Sequence, residues 1–153
     1  MIFSTKQVET HHVSRANSND PLSSFSHHPF ELDGHTWPSV EHYYQAMKFE
    51  DDIIRQEIVN TADADKAQKI AKKNKRKIRK DWKRIKTTIM TRAVYIKCKN
   101  HPQVKGALLA TNEVKIVENS QYDYFWGCGR DGRGENAYGK ILMDVRKKLR
   151  DES

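Results

Sequence analysis

The chain has 153 residues, a length that allows one domain with a proper core and not two comfortable ones. With 37% hydrophobic and 31% charged residues it reads as soluble and globular, and no apolar run approaches membrane-spanning length. The net charge of +8 favours anionic partners, among them phosphorylated metabolites, nucleotides and nucleic acid.

Met1 to Gln7 lacks the apolar core of a signal peptide, and Cys98 and Cys128 form neither a disulfide framework nor a metal-ligand pair. A reduced, cytoplasmic setting is expected. Residues 6–24 are polar and rich in His, Ser and Asn, and are expected to be loop. Residues 1–21 are set apart as a polar N-terminal segment, with residues 22–150 forming the domain. Pro29 to Trp37 predicts a small β-hairpin with Phe30, Leu32 and Trp37 as its apolar residues and Asp33-Gly34 as a two-residue turn. Ser39, after Pro38, is a good N-cap for a helix running toward Phe49, with Val40, Tyr43, Tyr44 and Met47 on its apolar face.

Asp51 to Asn60 predicts a short amphipathic helix with Ile53, Ile54 and Ile58 inward. Thr61 or Asp63 can cap the next, through Ala67, Ile70 and Ala71. Asp81 is the expected N-cap of the longest helix, to about Lys99, with a buried stripe of Trp82, Ile85, Ile89, Ala93 and Ile96. His101-Pro102 breaks it. Gln103 to Thr111 is a further helix with Val104, Ala107 and Leu108 inward, and Val114 to Glu118 alternates as a strand. A last helix is expected over Asn136 to Arg150, burying Tyr138, Ile141, Leu142, Val145 and Leu149. The fold class is therefore mainly α (α+β with a few short strands), in a single compact domain.

Three features carry possible chemistry. Glu41, Tyr44, Gln45 and Lys48 recur at helical spacing and form a polar stripe beside the apolar face. The helix dipole holds a first-turn carboxylate such as Glu41 ionised, and an amine among aromatics, as Lys48 is, can be desolvated and lose proton affinity. A surface-exposed stripe with Lys48 snorkelling to water is the plain alternative. Between Asp123 and Asn136 lie four of the seven glycines. Gly127-x-Gly129-x-x-Gly132 is not a dinucleotide fingerprint, since no βαβ unit follows, nor is it a Walker loop. Such a loop can still present backbone N–H groups to an anion at the start of the last helix, with Arg130 and Arg133 adding charge, or be an ordinary surface turn. The run from Lys66 to Lys86, in which Asp81 is the one acid, can bind nucleic acid through phosphates or be a solvated helix face. His11-His12, His27-His28, His35 and His42 match no metal-ligand pattern, so neither metal nor cofactor is expected.

Two of these stretches carry a resemblance. Leu22-Ser23-Ser24-Phe25, then Phe30-x-x-Asp33-Gly34-x-x-Trp37-Pro38-Ser39-x-Glu41-His42-Tyr43-Tyr44-Gln45-Ala46-x-Lys48-Phe49, resembles the N-terminal signature of the YbiA/NADAR family. Asp123-x-x-Trp126-Gly127-x-Gly129-x-Asp131-Gly132-x-Gly134-x-Asn136-x-x-Gly139-x-x-Leu142-Met143-x-x-Arg146 resembles its C-terminal signature. Arg79-Lys80-Asp81-Trp82 and Leu108-Leu109-Ala110-Thr111 are similar to landmarks between them. Two departures stand out: the family usually has Leu-Ser-Asn-Phe, and here Ser24 replaces the Asn; and the family usually begins with an aromatic-rich strand shortly before that motif, where here Ile2-Phe3-Ser4 is followed by a His/Asn-rich insertion.

The resemblance implies a small, mostly helical enzyme that cleaves N-glycosidic bonds. The expected substrates are phosphoribosylamino-pyrimidine intermediates of riboflavin synthesis, releasing ribose 5-phosphate. ADP-ribosyl-guanine adducts are the alternative, and a non-catalytic module binding ADP-ribose or nucleic acid is the reading from another class. On this view Glu41 stabilises positive charge on the sugar or acts as base for water. Lys48 attacks C1′ as a neutral amine, or donates a proton or holds phosphate as a cation. Trp37, Trp126 and a tyrosine such as Tyr44 stack on the base, with Phe25 and Gln45 also against substrate. Asp131 and Asn136 position ribose hydroxyls. Arg130, Arg133 and the amides around Gly127, Gly132 and Gly134 take phosphate.

Overall fold

The computed structural model describes residues 9–153. In chain order the elements are β1 (Thr10–Val13), β2 (Phe30–Leu32), β3 (His35–Trp37), α1 (Val40–Ala46), α2 (Asp52–Val59) and α3 (Ala64–Lys73). A single 3-10 turn over Lys75–Lys77 leads to α4 (Trp82–Asn100), α5 (Pro102–Leu109), β4 (Lys115–Glu118) and α6 (Ala137–Asp151). The expected mainly helical domain with a few short strands is what forms. Its strands make two separate pairs, β1 with β4 in parallel and β2 with β3 as the antiparallel hairpin.

The hairpin turns at Asp33-Gly34, where both residues take positive φ (53° and 82°). Its register puts Phe30 opposite Trp37, and both are buried. The Ser39 cap then starts α1: the Ser39 backbone is extended, and its Oγ accepts the His42 N–H at 3.2 Å. His42 is buried between Ser39 and Thr61. The Thr61 carbonyl can only accept, so Nε2 carries the proton at 2.9 Å, and Nδ1 accepts the Ser39 hydroxyl at 2.6 Å. Burial keeps that imidazole below its usual pKa, which suits the neutral tautomer. Every residue of α1 is buried, with α2, α3 and α4 packed around it. Glu41, Tyr44 and Gln45 of the polar stripe are therefore inside the protein, and Lys48, just past the helix, is half-buried.

Two expectations about packing need correction. Ile53 is 80% exposed. Asp51 caps α2 by accepting from the Ile53 and Ile54 amides, and this phases the helix so that Ile54 and Ile58, one turn apart, face the core. In α4 the deepest residues are Trp82, Met90, Ala93, Val94, Lys97 and Cys98, while Ile85, Ile89 and Ile96 are half-buried. The stripe is rotated because α4 is pressed between α1 and α6 and covered by more than one element. The five apolar residues expected inward on α6 are all buried, each stabilising by about 1.5–3 kcal/mol relative to exposure.

The N-terminal segment differs most from expectation. Residues 10–13 form β1, whose register aligns Thr10 with Lys115 and Val13 with Glu118. Of residues 10–13 only Val13 is buried, so no apolar alternation marks the strand in the sequence. The boundary at residue 22 does not divide the molecule, since β1 and the residues after it are part of the same body. Residues 6–8 of the expected loop lie outside the described residues. Lys97 fastens the next stretch. Its amine, pushed down to about 8 by burial, donates to Pro21 O at 2.6 Å, Ser23 O at 2.8 Å and Ser26 Oγ at 2.6 Å. Lys97→Met is expected to destabilise the fold by about 2–4 kcal/mol. Three acceptors lose their donor, which outweighs relief of the buried charge. A urea titration at pH 7 with an unchanged midpoint would count against this clamp.

Candidate active site

Glu41, on the first turn of α1, is fully buried and held by four side chains. Arg15 Nη2 donates to Oε1 at 3.0 Å and to Oε2 at 2.8 Å. Ser24 Oγ donates to Oε2 at 2.8 Å, Gln45 Nε2 to Oε1 at 2.8 Å and Gln68 Nε2 to Oε1 at 3.2 Å. Burial alone would raise the Glu41 pKa, but the Arg15 charge and these donors hold it below the usual carboxylate range. Five donor contacts fill the lone-pair directions of the two oxygens, which leaves Glu41 poorly placed to take a proton from water.

Arg15 is the centre of the arrangement. Its backbone N–H donates to Glu118 Oε2 at 2.8 Å, its Nε to Ser24 Oγ at 3.3 Å, and its Nη1 stands 3.6 Å from Asp123 Oδ2. The guanidinium lies 5.2 Å from the Trp126 ring centroid, 5.8 Å from Tyr44 and 6.0 Å from Tyr138. Tyr44 in turn packs between Trp82 and Trp126, at 5.1 and 5.4 Å. Ser24, in place of the usual Asn, thus points its hydroxyl at Glu41 and Arg15.

Lys48 follows the last turn of α1. Its Nζ lies 5.4 Å from the Tyr44 ring centroid and is half-buried, and among the described residues it pairs with no carboxylate. Desolvation lowers its pKa; Glu41 opposes that, and Arg15 and Lys86 add to it. Lys86 Nζ sits 3.6 Å from the Phe125 ring centroid, and Phe125 packs edge-on against Trp126. Among the described residues the buried Gln45 Oε1 has no protein donor, because its Nε2 is turned to Glu41.

So Glu41, Tyr44, Gln45, Lys48 and Trp126 come together, and the others do not join them as expected. Trp37 is fully buried, donates its Nε1–H to Leu32 O at 2.8 Å and packs on Tyr43, so it cannot stack on a base. Phe25 lines a different cleft, of about 460 Å³, with His42, Ser39 and the start of α3. Asn136 is committed to the backbone: its Oδ1 accepts the Glu118 N–H at 2.8 Å and its Nδ2 donates to Ile116 O at 2.9 Å. It is not available to a ribose. Trp126 is buried with Arg15 beside it and serves as a wall.

The glycine loop also differs from an anion cradle. The first amides of α6, those of Ala137 and Tyr138, donate to Phe125 O and Trp126 O at 2.9 and 3.0 Å. Those of Cys128, Gly134 and Asn136 are likewise spent on backbone carbonyls. Gly127 is required by packing, since a Cβ there would stand 2.8 Å from Glu118 Oε1, and a Cβ on Gly134 would come closer still to the backbone of Gly127 and Cys128. Arg130, Asp131, Gly132 and Arg133 form an exposed tip, where Asp131 accepts the Arg133 N–H and lies 3.7 Å from its guanidinium.

Sequence reasoning missed Arg15, Gln68 and Lys86. Arg15 is the only arginine before Arg55, in a segment with no periodicity, and that isolation was the one signal available.

A buried, caged carboxylate and a desolvated amine that pairs with no carboxylate among the described residues, walled by aromatics and edged with cations, form an enclosed polar site, and the chain's relatives are of the N-glycosidase class. The chain belongs to the NADAR domain family, whose profile matches residues 3–150. It is 35% identical over 136 residues to N-glycosidase YbiA of Escherichia coli, covering 89% of this chain and 85% of that one. An N-glycosidase of Nostoc punctiforme is 40% identical over 132 residues, covering 84% of this chain and 85% of the relative. The NMR structure of E. coli YbiA superposes with a TM-score of 0.85 at 34% identity, covering 97% of this chain and 89% of that one. A riboflavin biosynthesis protein of Vibrio vulnificus is 36% identical over 132 residues, 86% of this chain but 36% of its own length.

Proposed function

We propose that the enzyme hydrolyses the C1′–N bond of a phosphorylated ribosyl-nitrogen substrate, such as a phosphoribosylamino-pyrimidine of riboflavin synthesis, releasing ribose 5-phosphate. The observation that carries this reading is the Lys48 amine: half-buried, lowered in pKa, unpaired among the described residues and beside the caged Glu41. The neutral amine attacks C1′, the C1′–N bond breaks with its electron pair going to the leaving nitrogen, and the proton shed by Lys48 ends on that nitrogen. The sugar ring then opens as O4′ takes a proton, giving a Schiff base. Water adds to C1′ and expels the Lys48 amine, so one water is consumed overall. Gln45 Oε1 accepts from a sugar hydroxyl, and Lys86 and the exposed side chains Arg130 and Arg133 draw in the phosphate. The Vibrio relative is named a riboflavin biosynthesis protein, which supports a substrate from that synthesis. Incubation with phosphoribosylamino-pyrimidine should release base and ribose 5-phosphate in equal amounts. Binding without release would favour a non-catalytic module.

A second reading, cleavage of ADP-ribose from guanine in nucleic acid, draws on one feature. Residues 66–86 hold twelve Lys or Arg against one Asp. They run along α3, the 3-10 turn and the start of α4, and end at Lys86 beside Phe125. If the adduct is carried on a polynucleotide, its affinity should fall at least ~10-fold between 50 and 200 mM salt, as phosphate contacts release counterions. A salt-independent affinity would return the choice to the small phosphorylated substrate. Among the described residues no helix is long and apolar enough to cross a membrane. A cytoplasmic setting is proposed on the ground that Cys98 and Cys128 are free thiols.

A further inference from the structure

We propose that Arg15 is a positioning residue: by clamping Glu41 it withholds the carboxylate's charge from Lys48 and so leaves the Lys48 amine free to attack C1′. This deepens the reading above and rests on it for the attack, though not for the electrostatic clamp.

The geometry has three parts. First, both oxygens of Glu41 are engaged by one nitrogen of Arg15, at 2.8 and 3.0 Å, so the carboxylate and guanidinium together present a neutral pair. Second, Arg15 cannot easily leave. Its backbone N–H is held by Glu118, its Nε by Ser24 and its ring contacts by Trp126, Tyr44 and Tyr138. Third, Lys48 shares the Tyr44 ring with Arg15, so the clamp and the amine stand on one side chain. A carboxylate one turn or two from an amine, with little water between, would keep it protonated and non-nucleophilic. The pairing of Glu41 with Arg15 removes that effect without removing the carboxylate's hold on Gln45 and Gln68.

The groups that face Lys48 come from three parts of the chain. Glu41 and Tyr44 lie on α1, Arg15 follows β1, and Lys86 is on α4. Burial pushes Tyr44 up to about 12, so it is neutral at ordinary pH. Glu41 alone favours the ammonium, while Arg15 and Lys86 favour the amine. Of the latter two, only Arg15 is bonded to Glu41 and can cancel it at its source.

The test needs no substrate. The pH dependence of acylation of Lys48 by a trace amine reagent, read by peptide mass spectrometry on the full chain, gives its titration midpoint. Arg15→Met should raise that midpoint by about one unit or more, and Glu41→Gln should lower it. The double variant Arg15→Met/Glu41→Gln, which keeps a neutral and foldable cage, should return it close to the parent. The proposal is overturned if the double variant titrates as low as Glu41→Gln alone, because Arg15 then contributes nothing at Lys48. It is equally overturned if a folded Arg15→Met titrates like the parent. A role of Arg15 in stability alone would change melting without moving the midpoint. Where substrate turns over, the acid limb of kcat/KM should move with the midpoint. A midpoint that shifts in a protein that releases no base retains the clamp and removes the proposed reaction.

Discussion

Replacing Lys48 with alanine is expected to reduce turnover by at least ~1000-fold while leaving the fold intact, since the amine is half-buried and makes no hydrogen bond that holds another element among the described residues. A nucleophile that splits one difficult step into two easier ones commonly carries several kcal/mol of the rate enhancement. Lys48→Arg should not restore activity. It retains the charge and most of the length, but a guanidinium does not lose its proton at accessible pH. If Lys48 only held phosphate, arginine would serve well, and near-parent turnover in that variant would exclude the nucleophilic role. Borohydride added during turnover should trap a sugar on the parent and not on Lys48→Ala. The pH dependence follows from the same group. Its folded pKa lies below the usual 10.5 because burial, Arg15 and Lys86 outweigh Glu41. The reactive form is the neutral one, so kcat/KM should rise with pH through that lowered pKa and fall as acid protonates the amine. A rate that falls on raising the pH through this range would contradict the assignment.

Glu41→Gln should have the second-largest effect, on stability and rate together. The buried carboxylate receives two donor contacts from Arg15 and one each from Ser24, Gln45 and Gln68. An amide in its place turns an N–H₂ toward donors and leaves Arg15 in a nearly closed cage without its counter-charge. Breaking such a pair costs about 3–5 kcal/mol. The rate should fall at least ~100-fold, because Gln45 and Arg15 lose the group that orients them and misplacement of about 1 Å suffices for a loss of that size. Denaturant melts read the first effect and turnover reads the second. Near-normal turnover would remove Glu41 from the reaction. Glu41→Asp, which keeps the charge but withdraws it by one methylene, should recover more stability than rate, since the cage can follow the charge only in part.

Sequence and structure divide the site between them for a physical reason. Signals of short range were legible. The Asp33-Gly34 turn, the Ser39 cap, the break at Pro102 and the inward face of α6 each depend on residues within a turn or two, and each formed as read. The stripe of Glu41, Tyr44, Gln45 and Lys48 was likewise visible from helical spacing alone. Spacing does not say which face of a helix is covered, and α1 is covered on all sides, so Glu41, Tyr44 and Gln45 lie inside. Trp37 and Asn136 were assigned to ligand because their types suit a base and a ribose. Only the hairpin and the β4–α6 junction show that both spend their polar atoms on backbone.

The sequence by itself determined a mainly helical domain, its element order from the hairpin onward, and the nearness of Glu41 on α1 to Lys48 just past its last turn. The tertiary structure decided what surrounds them. β1 aligns with β4 more than a hundred residues away, a pairing held by backbone hydrogen bonds that leave little mark on side-chain pattern. That pairing delivers Arg15 to Glu41 and carries Glu118 and Asp123 to Arg15. The charge balance at Lys48 is set by groups from three separated parts of the chain. Electrostatic coupling of this kind depends on distance in space and on exclusion of water, and neither is written in local spacing.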